Sequence, residues 1–232
     1  MSTLIKIVTV LIVSILSTSC LTDFSFSNGV KGNGNVITED RQPSADFSVV
    51  SAHEGLDVFI SQGDEHAISI EADENIADLI ITEVKEGELK IHCEKPIGKA
   101  LSKKVYVQLP DLTGVVSTSG ADVESMGSLQ VSSLHLEASS GADIRIEVEA
   151  TDVHAESSSG SDIFIYGTTD RIEAEASSGS DINADKLQAR TARAEASSGA
   201  DILLNSSESL EVETSSGGDV KNAGQARRIA KD

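Results

Sequence analysis

The sequence predicts an all-β chain: a right-handed parallel β-helix, or solenoid, with coils of about 19 residues. Three observations predict it. A short motif recurs six times at near-constant spacing, apolar and polar residues alternate between the copies, and large rings are scarce, with aromatics at 3% and no Trp.

The motif is Ser-Ser-Gly-(Ala/Ser/Gly)-Asp-(Ile/Val). Its first, weaker copy is Thr118-Ser119-Gly120-Ala121-Asp122-Val123; five more follow around Gly141, Gly160, Gly179, Gly199 and Gly217. Successive glycines lie 21, 19, 19, 20 and 18 residues apart. A fixed period of this length marks a stacked-repeat architecture. The aspartates form a second series, Asp122, Asp143, Asp162, Asp181, Asp201 and Asp219. Gly tolerates positive φ, and Ser and Asp bond nearby backbone amides, so the motif predicts a tight corner, with the Asp series capping the corner amides.

Between corners the pattern has period two, the mark of a strand with one buried face. Seven residues before each Gly stand Leu134, Val153, Ile172, Ala192 and Leu210. Five before stand Leu136, Ala155, Ala174, Ala194 and Val212, and three before stand Ala138, Ser157, Ala176, Ala196 and Thr214. All are expected to point inward, as are Ile144, Ile163, Ile182, Ile202 and Val220 beyond the corner. The intervening positions are polar: His135, His154, Glu173, Arg193 and Glu211, then Glu137, Glu156, Glu175, Glu195 and Glu213.

About 19 residues at ~3.3 Å each trace roughly 63 Å, enough for one coil of three short strands and three corners. A coil cannot bury its inner face alone, so coils stack with like strands parallel, ~4.8 Å apart. Parallel crossovers are right-handed almost without exception, which sets the hand. Leucine-rich repeats have similar length, but their Leu-x-x-Leu-x-Leu consensus is absent. Residues 36–110 are less regular yet strand-like, as in Leu56-Asp57-Val58-Phe59-Ile60 and Lys104-Val105-Tyr106-Val107. They read as irregular first turns of the same sheet, with a separate small β domain as the alternative. Residues 111–224 are the regular repeats, so the β-helical domain covers 36–224, and 225–232 is a C-terminal tail.

Residues 1–20 read as an export signal: Lys6, an apolar stretch Ile7–Leu16, then Ser17-Thr18-Ser19 before Cys20. About ten apolar residues are too few to span a bilayer. Small residues before a Cys resemble the lipobox of bacterial lipoproteins, in a loose form with Ser17 in the usual Leu position. Cys20 is therefore the expected lipidation site, and 21–35, rich in Ser, Gly and Asn, is the expected flexible tether. The lipid would hold the protein to a membrane of the cell envelope, the outer membrane being favoured, facing periplasm or cell surface. The second cysteine, Cys93, reads as a buried apolar thiol.

Eighteen Lys and Arg against 38 Asp and Glu give a net charge of −20. That excludes nucleic acid as a partner, because phosphate binding needs cations that displace counterions.

With both halves described, the chain resembles the auto-transporter adhesin head GIN domain family of Bacteroidota and related bacteria. The resemblance starts at Gly32-Asn33-Gly34-Asn35-Val36 and runs through Phe47-Ser48-Val49-Val50 and Leu56-Asp57-Val58-Phe59-Ile60-Ser61-Gln62-Gly63. It continues in Ile70-Glu71-Ala72-Asp73-Glu74-Asn75-Ile76 and Leu89-Lys90-Ile91, then into the Ser-Ser-Gly-x-Asp repeats. It implies a β-helical surface domain and brings no catalytic residues.

The residues themselves offer little chemistry. A repeated corner serine is not a nucleophile singled out for attack, and the five histidines show no HxH or HExxH spacing. His135 and His154 share a repeat position and should stack; the pair could bind a metal, but the column continues as Glu173 and Arg193, and a solvated strand face is the preferred reading. The column Glu137, Glu156, Glu175, Glu195 and Glu213 is the most suggestive feature. Carboxylates ~4.8 Å apart repel by roughly 0.9 kcal/mol even at the dielectric of water, so weak Ca²⁺ binding is a candidate beside simple screening. No other cofactor is expected.

The leading functional expectation is a non-catalytic, lipid-anchored surface module that binds a glycan or protein ligand through repetitive faces. The alternative is an envelope scaffold without external ligand, for which Phe164, Tyr166 and Leu203 are candidate contact residues; a polysaccharide-acting enzyme ranks third. Oligomeric state is not readable.

Overall fold

A computed structural model describes residues 29–230. The export signal, Cys20 and residues 21–28 lie outside the described residues. Among those described, no helix is long and apolar enough to cross a membrane.

The architecture is a parallel β-solenoid of about six turns with coils about 19 residues apart. Its regular body is made by β9 (Asp122–Ser139), β10 (Asp143–Ser158), β11 (Asp162–Ser177) and β12 (Asp181–Ala196). Each pairs in parallel with the next, Asp on Asp and Glu on Glu. The next coil is split into β13 (Asp201–Leu204) and β14 (Ser206–Thr214), and the last into β15 (Asp219–Asn222) and β16 (Arg227–Ala230). Residues 227–230 of the expected tail are strand, β16 lying parallel on β14.

Side-chain period decides the core. The inward series expected from the repeat are buried in every coil, with Thr214 the exception, exposed in a coil covered only by a short strand. Position three before Gly is filled by Ala or Ser because a tight corner leaves little volume there. The inner residues form one continuous hydrophobic cluster from Phe47 to Val220.

The main corner is sharper than glycine alone would make it. Ser and Gly both adopt positive φ, as at Ser159 (58°) and Gly160 (71°), a pair required by a mirror-image two-residue turn. Where the residue after Gly is Ser, its hydroxyl closes the corner. Ser161 Oγ accepts from Ser158 N at 3.1 Å and donates to a carbonyl, with Ala138 O and Ser158 O both at 2.8 Å. Ser180 repeats the pattern one coil on, accepting from Ser177 N and facing Ser157 O and Ser177 O. At these two corners the serine hydroxyls cap the backbone, and the Asp162 carboxylate also takes a backbone hydrogen bond, from Asp181.

Unequal coil lengths are absorbed along the stretch between the Asp column and the Leu134 column, which also holds a jump between Ala189 and Thr191 where β12 meets β14. The β9–β10 register jumps between Arg145 and Glu147, and the β11–β12 register between Phe164 and Tyr166. The extra residues of the 21- and 20-residue spacings sit there, Met126-Gly127 and Asp185 among them. The columns on either side stay in step.

The N-terminal part continues the sheet and then changes its direction. In parallel, β2 (Val49–Ala52) lies on β8 (Gly114–Thr118), which lies on β9, while β3 (Asp57–Gln62) lies between β9 and β7 (Lys103–Leu109). On these, β4 (Ala67–Asp73) adds antiparallel to β7, and β1 (Val36–Arg41) antiparallel to β4. On the other side, β6 (Glu88–Cys93) pairs with β2, and β5 (Ile80–Lys85) adds antiparallel. A purely parallel β-helix is therefore corrected for residues 36–110. One short helix, α1 (Glu74–Ala77), brings Ile76 into the core with no exposure.

The expected tether is shorter than 21–35. Gly32 N donates to Lys99 O at 3.0 Å and Gly34 N to the Asp73 carboxylate at 2.8 Å. The fully buried Asp73 also receives Leu101 N and Ser102 N, both at 3.0 Å. A Cβ at Gly32 would come within 2.0 Å of the Asp73 carboxylate, which is why the Gly-Asn-Gly-Asn segment needs glycine there.

Candidate functional site

Because coils stack in register, each outward position becomes a column. Three columns carry most of the chemistry.

The glutamate column is formed as expected: Glu137, Glu156, Glu175, Glu195 and Glu213 are cross-strand neighbours. They line a shallow groove of about 580 Å³ together with corner serines such as Ser158 and Ser177. The column has partners that the sequence reading did not foresee. Arg193 reaches Glu195 and approaches Glu173 at 3.5 Å, Glu211 at 3.6 Å and Glu213 at 3.8 Å. Its guanidinium is held above its usual pKa, first by the hydrogen bond to Glu195. Among the described residues no three carboxylates converge on one point. Ca²⁺ takes six to eight oxygens, so this geometry offers a line of charge rather than a cage.

The aspartate column runs outward beside the main corner and is longer than expected, because Asp57 pairs with Asp122. Asp57 belongs to a seventh corner, Glu54-Gly55-Leu56-Asp57-Val58, where Glu54 and Gly55 have φ of 61° and 71°. The signal was present in the sequence as Gly-x-Asp-Val, hidden by the replacement of Ser by Glu and by the 65 residues separating Gly55 from Gly120. Partial burial, then neighbouring carboxylates, push the carboxyls of Asp122 and Asp162 above the usual range. Arg145, 2.9 Å from Asp143, and Lys221, 3.0 Å from Asp219, partly offset the charge.

A third column was legible only in part. Tyr106, Phe59, Glu124, Arg145, Phe164, Asn183, Leu203 and Lys221 follow one another across eight strands. All lie on the outer face. Phe59 stacks on Tyr106 with ring centroids 5.3 Å apart, and the Arg145 guanidinium lies 4.9 Å from the Phe164 ring centre. Beside them Lys186 approaches Tyr166 at 5.6 Å. Phe164, Tyr166 and Leu203 are half-buried, flanked by these neighbours. Phe59 and Tyr106 were hidden in the sequence because they come from strands 47 residues apart.

The family model described as "Putative auto-transporter adhesin, head GIN domain" matches residues 46–226. The chain belongs to that family. As a GIN-domain protein it shares its fold with solved structures of low identity. A putative adhesin from Bacteroides fragilis superposes with a TM-score of 0.75 at 19% identity, covering 87% of this chain and 100% of that one. A putative adhesin from Parabacteroides merdae gives 0.68 at 15%, covering 87% and 94%. A putative lipid binding protein from Parabacteroides distasonis gives 0.64 at 18%, covering 88% and 99%. Comparison with curated proteins finds no match. Family and neighbours are described as binding proteins rather than enzymes.

Two isolated groups in this GIN domain are structural. Ser51 Oγ lies 2.7 Å from His53 Nε2, but Ser51 is 2% exposed, so no substrate reaches it. Cys93 is buried and its thiol is pushed up to about 11, chiefly by burial, which leaves it inert.

Proposed function

We propose that this protein is a non-catalytic binding module of the cell envelope, lipid-anchored at Cys20, that holds a polymeric glycan along the Tyr106–Lys221 column. The observation that supports the reading is that column: rings, a guanidinium, an amide and an ammonium repeat at the strand spacing on a rigid face. Sugar rings present C–H faces that pack on aromatic side chains and hydroxyls that pair with Arg, Asn and Glu. A straight row of such contacts gives a polymer many weak attachments whose effects multiply. The net charge of −20 favours neutral or cationic polymers over uronate-rich ones. Membership of a family described as adhesins supports a surface location.

The test is retention of the full chain, in mild detergent, on immobilised polysaccharides and matrix proteins, with calcium and with chelator. Selective retention on a neutral or cationic polysaccharide, reduced at least about tenfold in Phe164→Ala and Tyr106→Ala, is the expected outcome. Retention unchanged in both variants would move the site elsewhere, and no retention on any surface would favour the envelope scaffold. Release of soluble product would overturn the non-catalytic reading.

A further inference from the structure

We propose that His135, His154 and Glu156 form a binding site for a single divalent transition-metal ion, with Zn²⁺ the best match. The two imidazoles come from equivalent positions of adjacent coils and stack, with centroids 5.0 Å apart and planes 17° from parallel. One ligand atom from each, together with a Glu156 carboxylate oxygen, lie within 4.8 Å of one another, and all three side chains are half-buried. This is the one such group of three His, Cys, Asp or Glu side chains among the described residues. The sequence placed the two histidines in one column, but His and Glu fall into different columns. Only the register brings them to one point.

Donor chemistry selects the ion. Two imidazole nitrogens and one carboxylate oxygen suit Zn²⁺ or its neighbours, whereas Ca²⁺ wants oxygen alone. Zn–N and Zn–O bonds of ~2.0–2.2 Å place tetrahedral donors roughly 3.5 Å apart, so the present spread must close by about 1 Å. Rotation of the His135 ring supplies that, since among the described residues its nitrogens carry no hydrogen bond. Glu137 stands across from Glu156 and next but one to His135, placed to act as a fourth ligand where water does not.

The surroundings orient His154. Its Nε2 faces Glu156 Oε1 at 2.7 Å, so the ion would take the place of the proton between them. Its Nδ1 faces the Glu173 carboxylate at 3.8 Å, and Glu173 is in turn 3.5 Å from Arg193. A carboxylate behind a ligating imidazole fixes its ring and strengthens it as a donor. Glu173 is thus a positioning residue, and the Arg193 that neutralises the lower glutamates also anchors this one.

The proposal is independent of what the aromatic column holds. It is tested by calorimetric titration of the tag-free full chain, in mild detergent, with zinc chloride, and by the electronic spectrum of the cobalt-loaded protein. One ion per chain is expected, with tetrahedral cobalt bands, and affinity falls at least about tenfold in His135→Gln and in His154→Gln. His92→Gln, which removes a half-buried histidine 3.3 Å from Glu83, leaves binding unchanged and controls for surface His–Glu pairs in general. The three sites are on outer strand faces, and matching metal-free unfolding midpoints verify that each variant folds. No saturable binding, or binding of wild-type strength in both His135→Gln and His154→Gln, would overturn the assignment.

Discussion

Two glycines show how differently the same residue type can be required. At Gly160 a Cβ would meet nothing within 4 Å, so the corner asks only for positive φ. At Gly167, φ is 108° and a Cβ would come within 2.1 Å of Val148 O in the coil below. Gly160→Ala should cost about 1 kcal/mol, the strain of a left-handed alanine. Gly167→Ala should cost about 3 kcal/mol or more, adding a backbone clash to the strain. Denaturant melts of the two variants check this, and equal losses would show that stacked coils move apart easily. The repeat displayed Gly160 in the sequence, whereas Gly167 belongs to no motif. Its need arises from a neighbour 19 residues away that only the parallel register supplies.

The coil is the natural element here, and its outer face is where charge must be managed. Arg193 replaces what the repeat would make another acid in the column His135, His154, Glu173, Arg193, Glu211, and it lies among four carboxylates. Arg193→Gln should lower the unfolding midpoint at low ionic strength, and by less in molar salt, because exposed pairs are screened. A salt-independent loss would mean that the side chain acts by packing its stem rather than by charge. Inner columns were legible in the sequence because burial enforces period two on every coil. Outer columns were legible only where identity repeats, as in the Glu and Asp series; the mixed aromatic column and the seventh corner at Gly55 lacked that repetition. The N-terminal antiparallel strands escaped for another reason. Strand residues look alike in either direction, and nothing local told β4 or β5 which way to run.

At the scale of the whole molecule, acid acts in two opposite senses. Asp122 and Asp162 have raised pKa values in the fold, so the folded chain holds more protons there and gains stability as pH falls toward those values. Asp73 is the reverse: backbone N–H groups, first that of Ser102 and then those of Gly34 and Leu101, hold it below the usual 3.8. Its contribution is fully present above the unfolded value and is lost as pH falls through the folded one. Thermal midpoints from pH 7 down to 3 should therefore pass through a maximum on the acid side of neutrality. Asp73→Asn should lower the midpoint at pH 7 and flatten the low-pH decline. A steady fall from pH 7 in the parent chain would show that the aspartate column is too well screened to matter.

The register jumps near Phe164 and Arg145 have a consequence for how such a rod can change. All the columns, inside and out, depend on coils that stay in phase, yet the number of residues per coil is not constant. The mismatch is confined to one side of each coil, a broad seam between the Asp column and the Leu134 column. Residues can be gained or lost along that seam as a hem is let out, with the rest of the cloth undisturbed. A lineage, or an experimenter, can lengthen the loops there to build a new surface while the stacked core below continues unchanged.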